Sequence, residues 1–135
     1  MKKGIIGAIV IVIAVFIGVL ICNKSYNNIT ECYNVNIKQY EFGTDNLIKD
    51  VQIDQNVDLE NLKNFINQIK PLSKNELVDK IIANCYNIEF NDSYMVGFDD
   101  SKYCLFINSN DGASYMSYMP KGLYEWTMEK LNLGQ

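Results

Sequence analysis

Two side chains on which many enzymes depend are missing from this sequence. It contains no histidine, and all 12 of its basic residues are lysine, never arginine. Without an imidazole, the chain has no Ser-His or Cys-His nucleophile pair and no histidine metal ligand. Without a guanidinium, it has no bidentate clamp for a carboxylate or a phosphate. Most hydrolase and transferase designs are thereby excluded, and we expect a protein that is not an enzyme and carries no metal or cofactor.

Positive charge is also scarce. The chain has 12 basic and 16 acidic residues, which gives a net charge of -4. If Lys2 and Lys3 are set aside, ten basic residues remain against the 16 acidic ones, a net charge of -6. A domain of that sign repels nucleic-acid phosphates and anionic lipid head groups. The composition therefore argues against nucleic acid as a partner.

One long apolar run opens the chain. Lys2 and Lys3 are followed by residues 4–22, which contain no charge, no amide and no proline. As a helix rising about 1.5 Å per residue, this run spans about 28 Å, close to the hydrocarbon thickness of a bilayer. It predicts a transmembrane helix within residues 1–24, the segment that we call the anchor. The predicted membrane-spanning residues include Ile5, Ile9, Ile13, Phe16 and Leu20.

The end of the apolar run favours an uncleaved signal anchor. A cleaved signal peptide has a shorter apolar centre and small residues at its exit, whereas here Leu20 and Ile21 precede Cys22. The alternatives are a lipoprotein acylated at Cys22, from whose usual pattern Ile21 departs, and ordinary cleavage. The two lysines before the run place the N-terminus in the cytoplasm. We therefore expect a single-pass protein of the cell membrane with an extracytoplasmic C-terminal part.

The residues after the anchor predict one small domain. Residues 25–31 are polar and rich in turn formers, which is typical of a tether, and residues 32–135 suffice for one domain. Alternating apolar and polar residues in 33–38 predict a strand, and residues 47–53 predict another. The turn formers of residues 43–46 lie between them. These two strands predict a β-hairpin.

Helical patterns follow the hairpin. Asp58 is a suitable N-cap for a helix that Pro71 would end, with apolar residues at helical spacing between them. Ser73 and Glu76 match a capping pair for a second helix, although its β-branched residues would also suit a strand. Near the end of the chain, residues 123–131 predict a closing helix.

Between the helical patterns, residues 85–118 alternate as strands do. Polar turn formers interrupt the alternation at 91–92, 99–100 and 110–112, which predicts a four-stranded antiparallel meander. In the predicted register, Leu105 lies on an almost wholly apolar face, which helices would cover. The whole sequence thus predicts an α+β fold: an N-terminal transmembrane helix, a β-hairpin, one or two helices, a four-stranded antiparallel meander and a C-terminal helix.

Three cysteines follow the anchor. The predicted register places Cys104 opposite Gly97 and leaves a whole strand between Cys104 and Cys85, too far for a disulfide. Cys32 could pair with either of them. We expect buried free thiols instead, and the absence of a CxxC spacing argues against a zinc site.

Two groups of residues are weak candidates for function. Glu89, Asp99 and Asp100 could supply the carboxylate pair of a glycoside hydrolase, which needs two acids about 5–10 Å apart, although solvated turn residues explain them more simply. Phe106 and Tyr115 share the mixed face of the predicted meander and could form an aromatic spot for a peptide, a glycan or a partner sheet. The same spot could instead lie beneath the hairpin.

These observations favour a function in binding rather than catalysis. We expect an anchored, extracytoplasmic domain that acts as a binding or accessory module, inhibitor-like or of the immunity type, on a protein or cell-wall partner. The alternatives are a carboxylate-dependent cell-wall glycoside hydrolase and a lipoprotein that is anchored at Cys22 and has the same binding role.

Overall fold

The structure, a computed structural model, describes residues 26–73 and 82–133. These residues form an α+β fold in which one antiparallel sheet of six strands carries two helices, and this confirms the predicted class. The predicted hairpin, meander and C-terminal helix are all present. The elements are β1 (Val35–Tyr40), β2 (Leu47–Ile53), α1 (Asn56–Ile66), β3 (Tyr86–Phe90), β4 (Tyr94–Phe98), β5 (Tyr103–Asn108), β6 (Ala113–Tyr118) and α2 (Leu123–Leu133).

Two predicted helices fall outside the described residues. One is the anchor in residues 1–24, and the other is the second helix predicted after Ser73, most of which lies in residues 74–81. Within the described ranges, no helix is long and apolar enough to cross a bilayer.

The hairpin and the meander form a single sheet. The strand order is β2-β1-β3-β4-β5-β6, so β1 pairs with β3 as well as with its hairpin partner β2. Ile37 of β1 lies opposite both Val51 of β2 and Ile88 of β3. The long connection through α1 therefore returns the chain to the far side of β1, a non-local pairing that local sequence patterns do not reveal.

Helix α1 differs from its prediction at both ends. It begins at Asn56 rather than being capped by Asp58, and its N-cap position makes no side-chain hydrogen bond. Asp58 lies in the first turn, where its carboxylate pairs with the Lys130 ammonium of α2 at 2.7 Å. The helix ends at Ile66, well before Pro71. Immediately after this end, the Asn67 side chain hydrogen-bonds both backbone groups of Ile29 at 3.0 Å.

The predicted register of β5 against β4 is wrong by one residue, whereas β6 pairs with β5 as predicted. Val96 of β4 lies opposite Phe106, and Phe106 lies opposite Tyr115 of β6, so the β4–β5 turn is centred on Ser101 rather than between Asp100 and Ser101. A shift of one residue sends every side chain of a strand to the opposite face. Cys104 consequently faces Phe98 instead of Gly97, and β5 and β6 present the opposite set of side chains to the core.

The side chain of Asp99 accounts for this shift. Its Oδ1 accepts a hydrogen bond from the backbone N–H of Ser101 at 2.8 Å, and its Oδ2 accepts one from the N–H of Ala83 at 3.0 Å. The first contact is an Asx-type turn, in which the side chain replaces a backbone acceptor. The turn is thereby centred on Ser101. It is longer by one residue than the turn that the polar pair at 99–100 predicts.

The core lies between one face of the sheet and the two helices. The helices contact each other through the rings of Phe65 and Trp126, whose centroids are 6.0 Å apart. Of the residues predicted for the buried face of α2, Leu123, Trp126 and Leu131 are buried, and Met128 packs partly against them. The largest fully buried side chains include Phe90, Phe98, Ile37, Leu62, Ile66, Ile69, Ile88 and Leu123.

Candidate functional site

The N-terminal arm, which we define as residues 26–33, is bound to the domain along edge strand β6 and the end of α1. The Asn27 side-chain amide donates to the carbonyl of Ile69 at 3.2 Å and to the Tyr115 hydroxyl at 2.9 Å. The Tyr26 ring packs edge-on against Tyr115, with centroids 5.4 Å apart. The sequence predicts residues 25–31 as a tether, but in the structure the chain is held from Asn27 onward.

A second asparagine secures the other end of the arm. Asn91, in the β3–β4 turn, accepts a hydrogen bond from the N–H of Tyr33 at 2.8 Å and donates one to the carbonyl of Glu31 at 2.9 Å. Between these contacts, the buried Cys32 joins the core. The arm is therefore part of the domain surface, and the point where the chain enters the described structure is fixed beside β6.

The aromatic candidates lie on the helix-covered face of the sheet. Phe106 is 2% exposed and packs against the rings of Tyr94 and Tyr115, with centroids 5.8 and 5.2 Å away. Tyr115 is half-buried under the arm, and burial raises the pKa of its hydroxyl to about 12. The register shift moves both residues from the predicted mixed face to the core face, where Phe106 has almost no surface left to offer a ligand.

The three candidate acids are not brought together as a catalytic pair. Glu89 lies on β3 and forms an ion pair with Lys38 of β1 at 2.8 Å. It faces Met95, which is four residues from Asp99, a separation of about 13 Å along the strand. Asp99 is buried and Asp100 is exposed. The distance between Glu89 and Asp99 exceeds the spacing that glycoside hydrolysis requires.

Asp99 is held as a charged hydrogen-bond acceptor. Burial by itself would raise its pKa, but the hydrogen bonds from Ser101 and from the Ala83 N–H outweigh burial, and the pKa lies below its ordinary value. A general acid requires the opposite shift. The contacts of Asp99 are those of a residue that stabilises the β4–β5 turn.

We expect Asp99→Ala to lower the free energy of unfolding by about 1–3 kcal/mol at pH 7, because two backbone N–H groups lose their acceptor. Since the folded-state pKa is depressed, this contribution is complete above the ordinary aspartate pKa of about 3.9 and disappears as the pH falls through the lower folded value. Urea unfolding from pH 7 down to pH 3, followed by the fluorescence of Trp126, measures the difference. Asp100→Ala, one residue away and exposed, is the control and should change stability by less than about 0.5 kcal/mol.

The three described cysteines are unpaired and buried, as predicted. Burial raises the pKa of the Cys104 thiol to about 12 and that of Cys32 to about 11, and it also raises the pKa of Cys85. Because thiolates are the reactive species, these thiols are chemically protected in the folded domain. Among the described residues, no group of three or more His, Cys, Asp or Glu side chains is placed to hold a metal ion.

Alkylation should report this protection. At pH 8, iodoacetamide is expected to modify Cys32 and Cys104 at least about 100-fold more slowly in the folded protein than in 8 M urea, where their pKa returns to about 8.5. Peptide mapping by mass spectrometry over time measures each site separately. Rapid modification of Cys32 without denaturant would show that the arm detaches from the domain.

A lysine-lined pocket lies beside the arm. Its volume is about 310 Å³, and it is formed by the loop after α1 and by the chain from the end of β6 to the start of α2. Lys70 and Lys121 line it, and none of its lining residues is acidic. Both lysines are exposed, and neither forms an ion pair within residues 26–73 and 82–133. An anionic group could therefore approach this pocket without displacing an existing carboxylate.

A second pocket, of about 500 Å³, lies near the β3–β4 turn. Three of its lining side chains already have partners: Glu89 pairs with Lys38 outside the pocket, and the Asn34 amide donates to Asp92 at 2.9 Å. Its charged lining residues, Glu89 and Asp92, are both acidic, so this pocket suits an anionic group less well than the lysine-lined pocket does.

The opposite edge of the sheet carries exposed apolar side chains. Phe42, in the β1–β2 turn, is 71% exposed, and Leu47 and Ile48 at the start of β2 are 51% and 57% exposed. We call these three residues the hairpin tip. In the described part of the chain β2 pairs only with β1, so its outer backbone groups have no strand partner there. Exposed apolar residues beside a free strand edge are typical of protein contact sites.

Sequence patterns identified neither the lysine-lined pocket nor the hairpin tip. The pocket combines residues 68–72 with residues 117–121, which are distant in sequence. Phe42 precedes the turn formers of residues 43–46. A large apolar residue next to a turn could have indicated an exposed contact residue, but periodicity alone does not identify it. No protein-family model matches this chain, and comparisons with curated proteins and with solved structures find no match. Its function must therefore be inferred from its own residues.

Proposed function

We propose that this chain is a single-pass membrane protein whose α+β domain lies outside the cytoplasm and acts as a non-enzymatic binding or accessory module, inhibitor-like or of the immunity type. The observation that carries the proposal is the uncharged apolar run at residues 4–22. Its length fits a bilayer, and Lys2 and Lys3 favour a cytoplasmic N-terminus. The partner is an extracytoplasmic protein or a cell-wall component.

The arm supports a domain held close to the membrane. Only residues 23–26 separate the apolar run from Asn27, the first of the described residues with a hydrogen bond to the rest of the domain. The five residue-to-residue steps from Cys22 to Asn27 reach about 18 Å at most when fully extended. A domain on so short a connection stays within reach of partners at the membrane surface or in the adjoining wall, and this suits an accessory or immunity-type role.

The hairpin tip supports a role in binding. Phe42, Leu47 and Ile48 lie on the sheet edge opposite β6, the strand against which the arm packs. Because the arm leads to the anchor, the hairpin tip lies on the side of the domain away from the chain's attachment point. It is therefore available to a partner that approaches from the wall side.

The hydrolase alternative receives no support from the acids that motivated it, because Glu89 and Asp99 are too far apart and the pKa of Asp99 is lowered. A lipoprotein acylated at Cys22 would present the same domain at nearly the same place, and would differ from a signal anchor in the mass of its N-terminus.

Membrane fractionation of the full chain tests the proposal. The chain is expected to remain with the membranes of the expressing cells after alkaline carbonate, and a protease added to intact cells without their wall should remove the domain. Intact-mass analysis of the undigested protein should show that residues 4–22 are retained and that Cys22 carries no lipid. Release by carbonate, or digestion only after the membranes are permeabilised, would contradict the proposal. Soluble sugar released from purified cell wall by the detergent-solubilised chain would favour the hydrolase.

A further inference from the structure

The lysine-lined pocket and the start of the arm lie at the same edge of the domain. Asn27 hydrogen-bonds the carbonyl of Ile69, the residue before Lys70. The N–H of Lys70 lies 3.3 Å from the hydroxyl of Ser117 in β6, and the N–H of Leu72 donates to the carbonyl of Met116 at 3.0 Å. These contacts hold the loop after α1 along the outside of β6. The described chain therefore begins next to Lys70.

The charge at this edge differs from that of the molecule as a whole. Lys70 and Lys121 line one pocket without an acidic neighbour in its lining. The exposed Lys102 is close by, because its carbonyl accepts a hydrogen bond from the N–H of Met119 at 2.7 Å. In the described ranges none of these three lysines forms an ion pair, whereas Lys38, Lys63 and Lys130 do. The charged side chains that line this pocket are therefore all positive, although the net charge of the chain is negative.

We infer that the β6 edge is a membrane-docking surface, on which Lys70 and Lys121 receive the phosphate head groups of anionic lipids in the bilayer that holds the anchor. The inference rests on the proposed function, since it requires residues 4–22 to be inserted in that bilayer. The location of the arm and the charge of the pocket are two independent observations that select this edge. Tyr26, 63% exposed at the start of the arm, adds an aromatic ring of the kind found at membrane interfaces.

Docking at this edge orients the rest of the domain. β2 and β6 are the two edges of a six-stranded sheet, about 24 Å apart at the usual strand spacing. With β6 against the head groups, the hairpin tip at the β2 edge points away from the bilayer. The hairpin tip would then face away from the membrane, and the fraction of domains in this orientation would increase with the anionic lipid content of the bilayer.

Fluorescence quenching on the full chain in lipid nanodiscs tests this orientation. A thiol-reactive fluorescent dye is attached to one new cysteine in each of two variants, Gln68→Cys in the pocket lining and Asp45→Cys in the β1–β2 turn. The described native thiols are buried and therefore protected from the dye. The nanodiscs contain a head-group quencher in phosphatidylcholine, alone or with about a third phosphatidylglycerol. A lysine near an anionic membrane contributes about fivefold to binding, so two lysines should favour the docked state about 25-fold. Quenching at residue 68 should rise with phosphatidylglycerol and exceed that at residue 45.

Charge-matched variants separate the specific site from general attraction. Lys70→Gln with Lys121→Gln should abolish the effect of phosphatidylglycerol, and Lys49→Gln with Lys63→Gln, which removes the same total charge elsewhere, should preserve it. Two results would overturn the docking surface while leaving the anchor intact. One is equal quenching at residues 68 and 45. The other is quenching at residue 68 that changes neither with phosphatidylglycerol nor with Lys70→Gln and Lys121→Gln. Recovery of the chain outside the nanodiscs would overturn the proposed function and the docking surface together.

Discussion

Replacement of Phe106 by alanine is expected to lower the free energy of unfolding of the domain by about 3–5 kcal/mol. The ring is 2% exposed and contacts the rings of Tyr94 and Tyr115. Its removal leaves a cavity in the core beside Tyr94 and Tyr115 that the surrounding strands cannot fill. Urea unfolding followed by Trp126, the single tryptophan of the chain, measures the loss.

The neighbouring residue provides the control for this prediction. Leu105 is half-buried on the opposite face of β5, so Leu105→Ala should cost less than about 2 kcal/mol. In the register that the sequence predicts, the order of the two effects is reversed. A larger cost for Leu105→Ala than for Phe106→Ala would therefore contradict the observed β4–β5 pairing. If Phe106→Ala fails to fold, Phe106→Leu provides the comparison, because it keeps much of the apolar volume.

Introduction of two arginines into the anchor is expected to prevent its insertion. In Ile13→Arg with Phe16→Arg, each charge placed near the bilayer centre costs about 3 kcal/mol, and the two lost apolar side chains add about 1 kcal/mol, for a total of roughly 7 kcal/mol. Carbonate extraction and immunoblotting should show the variant chain in the soluble fraction or degraded. The matched variant, Ile13→Leu with Phe16→Leu, keeps the run apolar and should remain in the membrane.

Retention of the arginine variant after carbonate treatment would contradict the anchor as the cause of membrane association. Lysine docking at the β6 edge cannot replace it, because alkaline carbonate strips proteins that are held by surface electrostatics alone. The two proposals thus predict different behaviour: the anchor decides whether the chain is extracted, and Lys70 with Lys121 decide how the domain is oriented.

Local patterns predicted most of the secondary structure. The hairpin, the first helix, the meander and the closing helix occur where alternation, helical spacing and turn formers place them. The ends of α1 did not follow these patterns, because the Asp58 carboxylate binds Lys130 from the other helix and the Asn67 amide binds the arm. Both partners are distant in sequence, so capping preferences alone could not identify them.

The register error shows how one side chain can override a pattern. The pair Asp99-Asp100 marks a turn, and the sequence indicates a turn centre between residues 100 and 101. The two hydrogen bonds that Asp99 accepts move the centre to Ser101. One of these bonds comes from Ala83, which belongs to the connection before β3. The faces of β5 and β6, and with them the location of Phe106 and Tyr115, consequently depend on a contact across 16 residues of chain.

Composition and short-range periodicity were enough to indicate an α+β domain behind an apolar run and to exclude histidine and arginine chemistry, because these properties depend on residue type and on neighbours within a few positions. The joining of hairpin and meander, the faces of the last two strands and the lysine-lined pocket beside the arm arise only in the folded chain. Each of them requires hydrogen bonds or charges from segments far apart in sequence, and these segments come together only when the core packs.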